Sequence, residues 1–263
     1  MKLEILSQNP EGALKKTPML FVHGAWHGAW CWENFLAYFA EKGYPAYAVS
    51  LRGHGNSDRP PRFSWTRIAD YVADVAQVVE QLPDTPVLVG HSMGGMVVQK
   101  YLEDHAAPAA VLLAPVPIKG VLRTTLRIAR RHPIPFVKAN LTWRLYPLIH
   151  RPDLAREAFF SDDMPDDVLQ KYHRQLQDES YLAFMDMLVF NRANPRKIKT
   201  DILLLGAEND TIFHVDEMEQ TAAAYDQKPG IFDDMAHDMM LEKNWQAVAD
   251  RMIAWLDEKG LGE

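Results

Sequence analysis

What most constrains this chain is a set of short, unbroken apolar runs that recur with helical stretches between them. MLFVH (19–23), AYAVSL (46–51), PVLVG (86–90), AAVLLAP (109–115), DILLLG (201–206) and GIFDD (230–234) read as strands. Between or after them lie amphipathic stretches: Trp30 to Lys42, Trp65 to Leu82, Met96 to His105, Asp216 to Tyr225 and Asn244 to Lys259. In the second of these, Ile68, Tyr71, Val72, Val75 and Val79 fall at helical spacing. Strands with no polar alternation are buried on both faces, and strand–helix alternation joins them in parallel. The expectation is an α/β fold: a mainly parallel sheet with helices on both faces. With 48% hydrophobic residues over 263 positions, the chain carries enough apolar surface for such a core.

Residues 116–199 break the rhythm, being helical in pattern and punctuated by Pro133, Pro135, Pro147, Pro152, Pro165 and Pro195. We read residues 1–115 and 200–263 as the core and 116–199 as a helical cap, or lid. It is expected over the C-terminal edge of the sheet, where open α/β folds bind ligands.

Chemistry concentrates at Gly90-His91-Ser92-Met93-Gly94-Gly95, between the PVLVG strand and a helix. Glycines on either side leave room for a sharp strand-to-helix turn, a nucleophile elbow that exposes the Ser92 hydroxyl. The competing reading is a plain glycine turn with a capping serine. A serine needs a base, and of ten histidines His237 sits on the loop after the last apparent strand, in DDMAHDMMLE. An acid must orient that imidazole. Asp210, on the loop after DILLLG, fits better than Glu208, too near the strand end, or Asp216, which reads as a helix N-cap. An oxyanion needs two donors, and the backbone N–H groups of Ala25 and Met93 are the candidates for this hole. Trp26 and His91 are expected beside the substrate. His23 and His27 are expected to brace their loop, and His54 the loop after its own strand. No acid or cysteine set accompanies these histidines, so no metal site is expected.

FVHGAWHGAWCW, SLRGHGNSD, VGHSMGG, GAEND and AHDMMLE, in that order, resemble the α/β-hydrolase superfamily across nearly the whole chain. HGAWHGAWCW is similar to the branch holding plant methyl esterases, hydroxynitrile lyases and many bacterial esterases. The resemblance implies an eight-stranded, mainly parallel sheet with a cap inserted after the sixth strand. It also implies a Ser92–His237–Asp210 triad, Ala25 and Met93 in the oxyanion hole, and no cofactor. The expected activity is hydrolysis of a small carboxylic ester or related acyl compound through an acyl-enzyme. The lyases of that branch carry threonine and lysine where this chain has Gly24 and Asp238, which argues against cyanohydrin cleavage. Dehalogenases and epoxide hydrolases of the superfamily use an aspartate nucleophile, which Ser92 excludes. Carbon–carbon bond hydrolysis, cofactor-free perhydrolysis and a non-catalytic ligand receptor stay open on the same scaffold.

A net charge of −7 argues against nucleic acid as a partner. The single cysteine, Cys31, precludes an internal disulfide and reads as buried packing. With no signal-peptide pattern and no membrane-spanning run, a cytoplasmic protein is expected. In the first half of the insertion Lys119, Arg123, Arg127, Arg130, Arg131, Lys138, Arg144 and Arg151 interleave with apolar residues, and an acidic stretch follows. That pattern suits either weak lid contact with anionic lipid or a basic face paired with the acids; the second is the simpler reading. Met185, Met187, Leu188 and Phe190 are candidates for an acyl-pocket wall.

Overall fold

The computed structural model describes residues 1–12 and 14–262. Seven strands form one sheet: β1 (Glu4–Gln8), β2 (Met19–Val22), β3 (Ala46–Ser50), β4 (Val87–His91), β5 (Ala110–Leu113), β6 (Ile202–Ala207) and β7 (Gly230–Phe232). Their order is β1-β3-β2-β4-β5-β6-β7, parallel throughout except for β1, which runs antiparallel to β3 at one edge. Every residue of β2, β4, β5 and β6 is buried, as the unbroken apolar runs require. The eight strands expected are therefore seven among the described residues. Before Met19 the chain offers one strand-capable run, EILSQ, followed by Pro10, Gly12, Lys15, Lys16 and Pro18, which suit turns rather than a returning strand.

The sheet's period of two divides the core between its faces. Met19, Phe21, Val87, Val89, Val111 and Leu113 pack on one face, with Phe35 and Phe39 of α1 (Glu33–Glu41) and Met252 and Leu256 of α10 (Trp245–Glu258). Leu20, Val22, Leu88 and Leu112 pack on the other. There they meet Val75 of α2 (Ile68–Val79), Val97 of α3 (Met93–Leu102) and Met218 of α9 (Val215–Ala223). Each such side chain contributes roughly 1.5–3 kcal/mol by leaving water, so the loops at the strand ends stand on a rigid platform.

Helix α3 starts three residues before the expected Met96. Gly94 and Gly95 read as turn residues, yet a Cβ at Gly94 would overlap the Val22 carbonyl and one at Gly95 would lie 2.7 Å from Pro115 Cβ. The glycines let the first turn of α3 press directly onto neighbouring backbone, and that packing overrides their poor helix propensity.

Residues 114–201 connect β5 to β6 and contain no strand among the described residues. They carry α4 (Leu122–Arg131), α5 (Pro133–Thr142), α6 (Pro152–Phe159), α7 (Asp166–His173) and α8 (Tyr181–Met185), with one wider helical turn at Asp186–Phe190. Pro133 and Pro152 each open a helix, where a missing N–H costs nothing. Three buried acids sew the second half of this insertion down. Asp178 accepts from Leu145 N (2.9 Å) and Tyr146 N (2.8 Å). Glu179 accepts from Tyr71 Oη (2.6 Å) and lies 3.2 Å from His54 Nε2. Asp186 accepts from Ile68 N (3.1 Å) and pairs with Arg67. Met187 is buried and Phe190 is 72% exposed, so the four residues considered for an acyl wall do not share one. No described helix is long and apolar enough to cross a membrane.

Candidate active site

Ser92 stands where β4 becomes α3, with φ 51° and ψ −117°. A non-glycine residue there is strained, and such strain persists only where the surroundings impose it. The tight turn depends on Gly90, whose added Cβ would lie 2.5 Å from the Gly94 carbonyl oxygen. Ser92 occupies the N-cap of α3, yet its side chain makes no capping bond. The hydroxyl is not spent on the helix, which removes the plain reading of a capping serine.

His237 is 2% exposed and lies on the loop after β7; its Nδ1 donates to Asp210 Oδ2 at 2.7 Å. The other oxygen of Asp210 accepts the N–H groups of Ile212 (2.7 Å) and Phe213 (2.8 Å). The carboxylate is thus locked by its own loop and presents one face to the imidazole. Of the three acids weighed, only Asp210 reaches it: Glu208 is exposed, and Asp216 pairs with Arg123. Burial works against a charged His237, but the Asp210 charge and hydrogen bond, helped by Asp238, outweigh it and raise His237 above its ordinary value. Phe213 and Phe159 wall the ring, at centroid distances of 5.3 and 6.3 Å.

The loop after β2 approaches Ser92 closely. A Cβ on Gly24 would lie 3.0 Å from Ser92 Cβ and 2.9 Å from His91 Nδ1. Two buried histidines pin consecutive carbonyls of this loop. His23 Nε2 accepts from Leu51 N (3.0 Å), so its proton sits on Nδ1 and is donated to the Gly24 oxygen (2.8 Å). That bond fixes the peptide whose N–H belongs to Ala25, pointing it the opposite way. His27 Nδ1 donates to the Ala25 oxygen at 2.8 Å, and its Nε2 meets Asp238 Oδ2 at 2.9 Å. Among the described residues neither Ala25 N nor Met93 N has a backbone acceptor.

Asp238 is the residue the sequence reading undervalued. It follows His237 directly, is wholly buried, and ties the histidine loop to the Ala25 loop across 211 residues. The available signal was an acid inside the apolar stretch MAHDMML, since buried acids require partners. His91, expected beside the substrate, is instead enclosed: 1% exposed, its Nε2 bonded to the His237 carbonyl at 3.0 Å. Burial and the neighbouring His237 push it down to about 3, so it stays neutral. It braces the histidine loop. The one group of His, Cys, Asp or Glu with ligand atoms within 4.8 Å of one another, among the described residues, is His91, His237 and Asp238. One nitrogen of each histidine, His91 Nε2 and His237 Nδ1, is committed to the bonds just described, and Asp238 Oδ2 to His27.

Trp26 has φ 65° and lines a cavity of about 240 Å³ between the insertion and the loops after β2 and β6. Ile128, Leu148, Ile149, Leu154, Ala158 and Ile212 supply apolar walls; Arg127, Arg131, His132 and Glu157 complete the lining. The insertion is bonded to both site loops, Gln177 N to Trp26 O (2.8 Å) and Asp238 N to Phe159 O (2.9 Å).

One antiparallel strand edges an otherwise parallel sheet, and Ser92, Asp210 and His237 stand on loops at one end of it. The description "Alpha/beta hydrolase family" matches residues 19–251, and the chain belongs to that family. It is 32% identical over 116 residues to epoxide hydrolase 2 of Siraitia grosvenorii, covering 44% of this chain and 34% of that one. It is 31% identical over 113 residues to methylesterase 10 of Arabidopsis thaliana, covering 36% and 41%. The matches thus span well under half of either relative's length. Among solved structures, an esterase from Exiguobacterium antarcticum superposes with a TM-score of 0.74 at 19% identity, covering 97% of this chain and 95% of that one. That likeness is one of fold.

Proposed function

We propose that this chain is a serine esterase, hydrolysing a small carboxylic ester or related acyl compound through an acyl-enzyme. The observation that carries the reading is the buried His237–Asp210 pair, tethered through His91 to a strained, uncapped Ser92. His237 Nε2 takes the Ser92 proton as Oγ attacks the ester carbonyl. The N–H groups of Ala25 and Met93 hold the tetrahedral oxyanion, and His237 returns the proton to the leaving alcohol. Water then repeats the sequence on the acyl-enzyme and releases the acid. Residues 116–199 act as the cap. A cavity of about 240 Å³ lies beside Trp26 and Thr211, next to the Asp210 loop; Ser92 and His237 are not among its lining residues. The methylesterase resemblance supports the same bond type, and the single buried Cys31 fits a cytoplasmic setting.

The test is a chain-length series of p-nitrophenyl esters, wild type against Ser92→Ala. Hydrolysis of short esters that disappears in the variant supports the reading. Activity surviving in Ser92→Ala overturns the nucleophile, and a folded wild type inactive on every ester overturns the esterase assignment.

A further inference from the structure

The outward stripe of α5 is apolar. Ile134, Val137, Lys138 and Leu141 stand at i, i+3, i+4 and i+7, with Ile134 81%, Val137 54% and Leu141 80% exposed. A surface helix ordinarily turns such a stripe to the core. Here the inner side is held by Ala139, 1% exposed, and by Asn140 Oδ1, which accepts from Tyr181 Oη at 2.8 Å. Just past the helix, Trp143 stacks on Tyr181 and lies 6.4 Å, ring to ring, from Trp65; both indoles remain about half exposed.

The charges around this stripe are selective. From Val116 to Pro152 the chain has no Asp or Glu. Arg123, Arg131 and Arg144 are committed to Asp216, Glu157 and Asp178, of which only Glu157 belongs to the acidic stretch that follows the basic one. Arg130 and Lys138 have no acidic partner among the described residues. Protruding aliphatic side chains, flanking indoles and uncommitted cations on an acid-free helix pair match the boundary between acyl chains and anionic headgroups. The chain's overall charge of −7 opposes approach by its other faces, so contact is oriented.

We infer that α5, with the last turn of α4, docks on an anionic lipid surface and sets the cap against it. This goes beyond the esterase reading and is read out by binding alone. The probe is co-sedimentation with vesicles of mixed phosphatidylglycerol and phosphatidylcholine, compared with phosphatidylcholine alone, at low and high salt. Wild type is expected to sediment with the anionic vesicles at low salt and to be released by salt. Arg130→Gln/Lys138→Gln is expected to weaken partitioning about fivefold for each cation removed. Ile134→Ser/Leu141→Ser is expected to weaken it tenfold or more, with unchanged circular dichroism. The inference fails if wild type ignores anionic vesicles at low salt, or binds both compositions equally. It also fails if light scattering shows a dimer that Ile134→Ser/Leu141→Ser converts to monomer, because a second copy then covers the stripe.

Discussion

Exchanging one oxygen for an amide in Asp210→Asn should nearly abolish catalysis while leaving the fold intact. Oδ1 of Asp210 accepts two backbone N–H groups, at 2.7 and 2.8 Å, and Oδ2 faces His237 Nδ1 at 2.7 Å. Asparagine has one acceptor oxygen and one NH₂. Turning the NH₂ toward Ile212 and Phe213 would set donor against donor twice, costing about 1–3 kcal/mol for each N–H left unpaired. The oxygen therefore takes that side, and the NH₂ faces Nδ1. Nδ1 must then accept, which moves the ring proton to Nε2, the nitrogen required as base. A wrong tautomer of this kind costs ~10⁴-fold in turnover, or about 5 kcal/mol at 1.36 kcal/mol per factor of ten. The assay is kcat/KM on the best p-nitrophenyl ester, with thermal melting as the control for folding. Glu208→Gln and Asp216→Asn, which do not reach His237, should stay within a factor of two or three, about 0.6 kcal/mol. A folded Asp210→Asn enzyme within tenfold of wild type would refute both the tautomer reasoning and the assignment of Asp210.

Three further outcomes are expected. His237 must be neutral to act and is raised above 6.5, so the acid limb of kcat/KM should lie above 6.5 in wild type; Asp238→Asn removes one of the charges that raise it, and the limb should move to lower pH, whereas a limb that stays put sinks this coupling. Burial alone would raise the Asp238 carboxyl, but His27 more than compensates and holds it below 3.8, so the pairing stabilises fully above 3.8 and is lost as pH falls through the depressed value. Asp238→Ala should accordingly cost ~3–5 kcal/mol at neutral pH in denaturant melts, with the gap to wild type closing in strong acid; an equal gap at both pH values would contradict the pairing. Gly24→Ala places a methyl 2.9 Å from His91 Nδ1, on a ring already held by the His237 carbonyl; kcat should fall towards the ~10²–10³-fold of a lost oxyanion donor, and an unchanged kcat would argue against the tight approach of this loop.

The central strands were legible because a strand buried on both faces has no choice but to be apolar along its length. MLFVH, PVLVG and DILLLG declared themselves in that way. EILSQ did not: as β1 it is an edge strand, half exposed, and its Ser and Gln resemble loop residues. The meeting of His237 with Asp210 was legible because each follows a recognisable strand, and parallel topology gathers strand ends on one side. His27 with Asp238 was not, because hydrogen-bond partners 211 residues apart leave no periodic trace. The position of His91 was not legible either: it is the last residue of β4, and its buried ring bonds the His237 carbonyl from beneath the histidine loop. The insertion was visible as helical, but the direction of its amphipathic faces was not. In α5 the stripe that helical spacing would send inward faces out.

The two ends of the insertion leave and rejoin the sheet at adjoining strands. β5 and β6 pair directly, Leu113 opposite Leu205, and Ala114 N bonds Leu205 O at 2.8 Å. Because the pair is parallel, the connection crosses from the C-terminal end of β5 back to the N-terminal end of β6, where Ile202 lies opposite Ala110. Beyond that one strand length it can grow or shrink at little entropic cost, since loop closure depends only logarithmically on length. The region is in this sense a replaceable module: a graft needs ends that span one strand length of the β5–β6 pair, and Ser92, Asp210 and His237 lie outside the exchanged segment. One obligation travels with it. The Phe159 carbonyl satisfies the buried N–H of Asp238, so a transplanted segment must bring an acceptor to that point or leave the residue beside His237 with an unpaired donor.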